Sequence, residues 1–142
     1  MNLFKNLKEI EDNLPNGFHD ALLEKLMIDL TCNSADMELQ LFVGDPDAST
    51  EQEREAYRRA ILRLSDLVYF VIDVPEKSHE SSKKKSLRIE GGDATDNSNP
   101  RSPKPCSALP SGAFAYWFFV EQWNSFIHVA AHSSTIEWLS ND

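Results

Sequence analysis

The sequence predicts a mainly β (α+β) fold: one antiparallel sheet system, arranged as a sandwich or a strongly bent sheet of about six strands, with one or two short helices. The first observation is an apolar region at residues 112–138, which holds all three tryptophans and four of the eight phenylalanines. Its segments 112–120 and 124–132 are apolar on both faces and flank a short polar break, which is typical of a hairpin at the centre of a sheet. The second observation is the alternation of apolar and polar residues at 37–43, which indicates a half-buried strand.

Length and composition indicate one domain, residues 1–142. A chain of 142 residues, 41% of them hydrophobic, buries about two-thirds of its unfolded surface without disulfide bonds. No apolar run approaches the ~18 residues of a membrane span, and acidic residues occupy the N-terminus where a signal peptide would be apolar. Two cysteines are too few for a disulfide framework. We therefore expect a cytoplasmic protein with no membrane association.

The net charge narrows the class of partner. It is −9, from 23 acidic against 14 basic residues. Nucleic acid is excluded as a partner, because its binding depends on Lys and Arg releasing counterions from phosphates. A basic protein surface, such as that of a toxin, fits better. The alternative is that the charge only keeps the protein soluble.

The first third of the chain contains one segment of ambiguous structure. Residues 3–12 have apolar side chains at helical spacing and predict a short amphipathic helix, which a Pro-Asn-Gly turn at 15–17 ends. Residues 22–31 fit either a helical stripe or a strand. We favour a strand, because the strand at 37–43 follows a short turn and needs an antiparallel neighbour before it.

The middle of the chain predicts a brief helix and a long strand. Residues 51–58 form the helix, with Ser49 or Thr50 as its cap. Residues 60–74 form the strand, with a bend or bulge at Ser65 and Asp66, where polar side chains give way to apolar ones.

The remaining segments are a connection and a final strand. Residues 75–111 are rich in Ser, Lys, Asn and Pro, so they predict a mobile connection that contains a short edge strand at 86–90. A last short strand is expected near 135–139. Within 112–120, Trp117 lies at mid-strand, and Trp117→Ala is expected to empty a buried site at a cost of about 3–5 kcal/mol.

His19, Asp20 and His128 are the candidates for a functional cluster, with His132 as a further imidazole. Such a set could hold zinc or iron, or His19 could act as a base oriented by an acid. His128 and His132 would lie about 13 Å apart on a strand, too far to share a metal without a bulge. The alternative is structural: His19 and Asp20 fasten the turn that leads into the first strand, and His128 is a hydrogen-bonded core histidine. We assign no catalytic residue, no metal ligand and no cofactor.

Trp123 and Asn124 are candidates for partner binding, because an exposed tryptophan can anchor an interface. The alternative is that Asn124 forms a turn and Trp123 covers the end of the sheet. Cys32 and Cys106 have no CxxC spacing, and we interpret both as inert.

Five segments together resemble a group of small, largely uncharacterised bacterial proteins: residues 15–21 (PNGFHDA), 42–47 (FVGDPD), 67–73 (LVYFVID), 118–120 (FFV) and 123–131 (WNSFIHVAA). The His-Asp-Ala start followed by a hairpin is also similar to immunity-protein families of bacterial toxin systems. The resemblance spans nearly the whole chain. It implies a mainly antiparallel β fold and a strand at 22–31, and it brings no catalytic residues with it.

The leading interpretation is a non-enzymatic binding protein, such as an immunity-type inhibitor that meets a partner protein through an acidic surface. The alternative is a metal-dependent or hydrolytic enzyme that uses His19, Asp20 and His128. The oligomeric state and the identity of the partner are open at this point.

Overall fold

The computed structural model describes residues 2–4, 6–73, 75, 86–95 and 109–140. The predicted mobile connection falls largely outside these residues. The elements in chain order are β1 (Asn2–Phe4), α1 (Leu7–Asn13), β2 (Ala21–Asp29), β3 (Ser34–Phe42), α2 (Glu51–Arg54), β4 (Tyr57–Ile72), β5 (Leu87–Ala94), β6 (Phe114–Val120), a 3-10 turn (Glu121–Trp123) and β7 (Ser125–Trp138).

The strands form one antiparallel sheet that closes on itself. Their order is β1-β7-β4-β3-β2-β5-β6, and β6 also pairs with β7. This last pairing joins β2 to β7 into a six-stranded barrel, while β1 pairs with the second half of β7. The prediction of a mainly β fold on one antiparallel sheet with one or two short helices is confirmed, and the helices number two in the described residues. The sandwich arrangement is wrong, because a sandwich keeps two separate sheets whereas this sheet joins its own edges.

Two predictions about strands are confirmed. The segment predicted at 22–31 is a strand, β2, which pairs with β3 from Leu22↔Gln40 to Asp29↔Ser34. The bend in β4 lies where polar residues give way to apolar ones: Asp66 has a φ of 52° and the register with β7 shifts between Leu67 and Tyr69. An extra residue in one strand re-aims the side chains that follow it, so the second half of β4 presents a different set of residues to the core.

Both predicted helices are shorter than expected. Helix α1 begins at Leu7, because the side chain of Asn6 caps it by accepting a hydrogen bond from the Glu9 N–H at 2.9 Å. Helix α2 covers only four residues, because the chain from Tyr57 onward pairs with β3 instead. In both places strand pairing prevails over local helical preference.

Two predictions about strand position are wrong. The strand near 86–90 is not at an edge: β5 pairs with β2 on one side and β6 on the other, and so completes the barrel. The expected separate strand near 135–139 is the second half of β7, which runs unbroken from Ser125 to Trp138. β7 is this long because β4 accompanies it along most of its length.

The core fills the barrel, and α1 covers one end of it. Leu7 and Ile10 of α1 are fully buried together with Phe18, whose ring lies edge-on to Phe118 at 5.3 Å between centroids. The strands supply most of the other large buried side chains: Met37, Leu39, Leu41, Leu62, Leu64, Ile89, Tyr116 and Ile127. These residues come from β3, β4, β5, β6 and β7, so the core depends on closure of the barrel.

Strand β6 is buried on one face and partly covered on the other. Tyr116, Phe118 and Val120 point inward and are buried. Trp117 lies on the other face, partly exposed, and packs edge-on against Phe126 at 5.6 Å. The expectation that both faces of this strand are buried therefore holds for the inner face and only in part for the outer face, so we expect a smaller cost for Trp117→Ala than a fully buried tryptophan would give.

Candidate functional site

The turn before β2 is fixed to the end of β3. Gly17 has a φ of 56°, a conformation that suits glycine. The Asn16 side-chain amide donates to the carbonyls of Phe42 and Gly44, at 3.1 and 3.0 Å. The turn thereby delivers His19 and Asp20 to the same end of the barrel as the connection between β3 and β4.

Asp20 is the centre of a network of hydrogen bonds. Its φ is 64°, its backbone N–H donates to the carbonyl of Ile89 at 2.9 Å, and its carbonyl accepts from the Tyr57 hydroxyl at 3.1 Å. Its carboxylate accepts from two nitrogens of Arg88, with Nε at 2.8 Å. This hydrogen bond raises the pKa of Arg88, whose guanidinium also lies 3.4 Å from Glu121. Asp20 thus joins β2 to β4 and β5.

His19 lies beside Asp20 on the surface. Its Nδ1 contacts the carbonyl of Glu90, and its Nε2 lies 3.4 Å from Asp20 Oδ2. Its side chain is 61% exposed. The imidazole and the carboxylate therefore form a pair, as the sequence suggested, but each is also engaged with β5.

A cleft of about 440 Å³ opens next to this network, with a lining of Asp20, Phe42, Glu55, Tyr57 and Arg88. The rings of Phe42 and Tyr57 pack together at 5.4 Å between centroids, and Tyr57 stays 39% exposed. Burial is the main reason why the pKa of Tyr57 is raised, and the charge of Asp20 adds to it. The cleft thus combines aromatic walls with two carboxylates and one guanidinium.

The connection between β3 and β4 forms an acidic rim beside the cleft. Residues 43–56 contain five carboxylates and one arginine, a net charge of −4 out of −9 for the chain. The five carboxylates are those of Asp45, Asp47, Glu51, Glu53 and Glu55. All five side chains are exposed, and none forms an ion pair within the described residues. We call these five residues the acidic rim.

His128 contacts an aspartate outside the Asp20 network. It lies in β7 with 5% exposure, and its Nε2 is 3.0 Å from Asp73 Oδ2. No contact of the described residues joins it to His19 or Asp20. Across the described residues there is no group of three or more His, Cys, Asp or Glu side chains placed to hold a metal ion. His132 is also separate, with Nδ1 3.0 Å from the carbonyl of Asp66.

Trp123 and Asn124 lie in the turn between β6 and β7. Trp123 is partly buried and packs against the core. Asn124 ends the 3-10 turn with a φ of 47°, a left-handed conformation that asparagine tolerates. Cys32 is exposed at the tip of the β2–β3 hairpin, and Cys106 lies outside the described residues.

Sequence reasoning missed Arg88, Tyr57 and Glu55. Their positions depend on β5 pairing with β2 and on β4 beginning at residue 57, and neither follows from local pattern. The one signal was charge: Arg88 is a base in an acidic chain, between the apolar Leu87 and Ile89.

Comparisons with known proteins assign this chain to no family. No protein-family model matches the sequence, and no curated protein matches it either. One similar solved structure is an uncharacterized protein from Neisseria gonorrhoeae, with 15% identity and a TM-score of 0.48, covering 85% of this chain and 93% of that chain. Neither helix in the described part of the chain could cross a membrane.

Proposed function

We propose that this protein is a non-enzymatic binding protein that binds a basic surface of a partner protein, as an immunity-type inhibitor binds a toxin. The cleft beside Asp20 and the acidic rim would form the binding surface. The proposal includes a cytoplasmic location, where such an inhibitor meets its toxin before release.

The observation that carries the proposal is the unpaired charge of the acidic rim. Five exposed carboxylates within 14 residues repel one another unless a cation lies near them. In the described residues no Lys or Arg forms an ion pair with any of them, whereas Asp20, Asp36 and Glu11 all have such partners. A basic partner would relieve this repulsion and would be steered toward the rim.

The cleft supplies the specificity that charge alone lacks. An arginine or lysine side chain of the partner could lie against the exposed Tyr57 ring, where a cation–π contact adds to its attraction to Glu55. Exposed aromatic residues with nearby carboxylates are the groups that recognise basic side chains in protein interfaces. Phe42 fixes the Tyr57 ring, so little side-chain entropy is lost on binding.

The similarity of the His-Asp-Ala start and the hairpin after it to immunity-protein families also supports this proposal. The rival, a metal-dependent or hydrolytic enzyme, needs His128 beside His19 and Asp20, and His128 contacts Asp73 instead. We therefore place His19 and Asp20 in the support of the binding surface and assign them no chemistry.

The test uses a panel of purified basic toxin domains from bacteria, with an oligo-arginine peptide as a probe of charge alone. The key variant is Glu51→Gln/Glu53→Gln/Glu55→Gln. The matched control is Asp12→Asn/Asp66→Asn/Glu137→Gln, which changes three exposed carboxylates outside the cleft and the acidic rim. Each replaces three of the 23 acidic residues, so both bring the net charge from −9 to −6. Both variants should melt like the wild type, because surface changes of this kind are usually within about 0.5 kcal/mol.

We expect tight binding of at least one toxin domain, with an affinity reduced at least about tenfold in the rim variant and little changed in the control. Tyr57→Ala should weaken the same complex, while Tyr57→Phe keeps the ring and should retain most of the affinity. Equal losses of affinity in the rim variant and in the control would show that binding depends on total charge and not on the acidic rim. The proposal fails if no toxin domain binds at physiological salt.

A further inference from the structure

In the part of the chain that the structure describes, one edge of strand β2 has no partner strand beyond Leu23. Strand β2 pairs with β3 along its length, but β5 accompanies it only at Ala21, Leu22 and Leu23. Among the described residues, no strand pairs with the other edge of β2 from Glu24 to Asp29. We call this stretch the open edge. Every second residue along such an edge turns its N–H and C=O outward, where another strand can bind them.

Apolar side chains are concentrated at the same place. Of the five large apolar side chains that are exposed in the described residues, three belong to the end of the β2–β3 hairpin: Met27 (53%), Ile28 (42%) and Leu30 (87%). They border a groove of about 650 Å³ that also reaches Asp36 and Arg63. Exposed apolar groups beside free backbone hydrogen-bonding groups mark a surface that another strand can cover.

The charges of the open edge are self-complementary. Lys25 and Asp29 lie two residues before and two residues after Met27, on the same face of the strand. If two copies pair antiparallel about Met27, Lys25 of each copy lies opposite Asp29 of the other. Leu26 and Ile28 then lie opposite each other on the second face. Two-fold pairing of antiparallel strands must centre on a residue, and centres at Leu26 or Ile28 bring no lysine opposite an aspartate.

Both charged groups are free to make this contact. Within the described residues, neither Lys25 nor Asp29 forms an ion pair. Asp29 Oδ1 accepts hydrogen bonds from the Thr31 and Cys32 backbone N–H groups, each at 3.0 Å, and Oδ2 is not used in these bonds. The Thr31 hydroxyl also donates to Oδ1, at 2.7 Å, and this bond together with the backbone bonds lowers the pKa of Asp29 to about 2, so its charge is present throughout the physiological range.

We propose that two copies of this chain associate through their open edges, as an antiparallel β2–β2 pair centred on Met27 with reciprocal Lys25–Asp29 contacts. The pair continues the sheet of one barrel into the other. It leaves the cleft and the acidic rim uninvolved, so the proposal is independent of the proposed function.

The test is the oligomeric state by analytical ultracentrifugation, from micromolar concentration to about 1 mM, the range that covers weak association. The wild type should show a monomer–dimer equilibrium. Lys25→Glu places like charges opposite each other twice and should weaken association by about tenfold or more. Arg54→Glu, on α2, makes the same change in net charge and should leave the equilibrium unchanged.

A mixing experiment identifies the register. At positions 25 and 29, which face each other in the proposed pair, Lys25→Glu leaves only acidic side chains and Asp29→Lys only basic ones. Each variant alone should therefore remain monomeric at concentrations where the wild type dimerises. Mixed one to one, the two variants should form a heterodimer. Melting curves of each variant check that the hairpin is intact, because Asp29 also caps the turn.

Hydrogen exchange gives a second readout that needs no variant. Amides in residues 24–29 should become more protected as protein concentration rises. A wild type that stays monomeric to about 1 mM overturns the proposal, and so does protection of these amides that is independent of concentration. Association that persists unchanged in Lys25→Glu, with no recovery on mixing, overturns the register about Met27.

Discussion

The β6–β7 hairpin and the β2–β3 hairpin are both antiparallel pairs, but they differ in what lies beside them. β6 is bonded to β5 and β7, and β7 to β4 and β6, so every strand of the first hairpin has a neighbour on each side. In the second hairpin β3 has two neighbours, while β2 has a second neighbour only as far as Leu23 among the described residues. The first hairpin therefore closes the barrel, and the second projects from it with apolar side chains exposed.

This comparison shows that apolar content alone does not define the core. Residues 22–31 and 112–120 are both rich in large apolar side chains. Pairing on two sides buries the inward residues of β6, whereas the end of β2 has one partner strand among the described residues and leaves Met27, Ile28 and Leu30 exposed. The same kind of sequence stabilises the fold in one place and offers a binding edge in the other.

The largest expected effect contrasts the two faces of β6. Phe118 is fully buried and contacts Phe18 and Tyr116, so Phe118→Ala should lower the free energy of unfolding by about 3–5 kcal/mol. Trp117 is partly exposed on the outer face, and Trp117→Ala should cost about 1–2 kcal/mol, mostly its contact with Phe126. Urea unfolding of both variants measures the difference. A larger loss for Trp117 would mean that the outer face is the better covered one.

The next effect compares two leucines of one hairpin. Leu39 in β3 is 1% exposed, and Leu39→Ala should cost about 2–5 kcal/mol. Leu30 at the tip is 87% exposed, and Leu30→Ala should change stability by less than about 0.5 kcal/mol. Thermal unfolding of dilute samples checks both. Similar losses at the two positions would contradict the exposure of the tip.

Asp20 tests the junction between the open hairpin and the closed part of the barrel. Asp20→Ala removes the partner of Arg88 and places alanine at a φ of 64°, so we expect a loss of about 1–3 kcal/mol. Asp20→Asn should cost less, because asparagine tolerates that backbone conformation. His19→Ala should cost less than Asp20→Ala, because that side chain is mostly exposed. Chemical unfolding ranks the three variants, and a cost for Asn equal to that for Ala would exclude the backbone contribution.

The smallest expected effect is the titration of the Asp29 carboxyl at the tip of the β2–β3 hairpin. Hydrogen bonds from Thr31 and Cys32 lower the pKa of Asp29 from 3.8 to about 2. Because the folded pKa is below the unfolded one, the carboxylate stabilises the turn at higher pH, and this contribution is lost as pH falls through about 2. NMR titration of the Asp29 carboxyl and the two turn amides measures it. An ordinary midpoint near 3.8 would show that the turn is open in solution.

The periodic parts of the fold could be predicted from the sequence, since alternation identified β3, β4, β6 and β7 and the turn at 33–36 decided the structure of β2. Closure of the barrel could not, because it depends on β5 pairing with two strands that are distant in the chain, and no local pattern records such pairing. The predicted length of α2 was wrong for the same reason, because Tyr57 pairs with Phe42 and does not extend the helix.

The candidate site, like the fold, could be predicted from the sequence only in part. His19 and Asp20 are neighbours in sequence, so their pairing could be anticipated. Arg88 lies 68 residues from Asp20 and reaches it only through the β2–β5 pairing. His128 was grouped with His19 because residue type was the only criterion, and the register of β4 with β7 places it beside Asp73 instead.

Native-state hydrogen exchange in dilute monomer tests the contrast between the two hairpins most directly. Amides of β6, which face β5 or β7, should exchange only through opening of the whole barrel. In residues 24–29 of β2, the amides that face β3 should be protected, while alternate amides that face the open edge should exchange far faster. Protection throughout residues 24–29 equal to that of β6 would contradict the open edge and the comparison built on it.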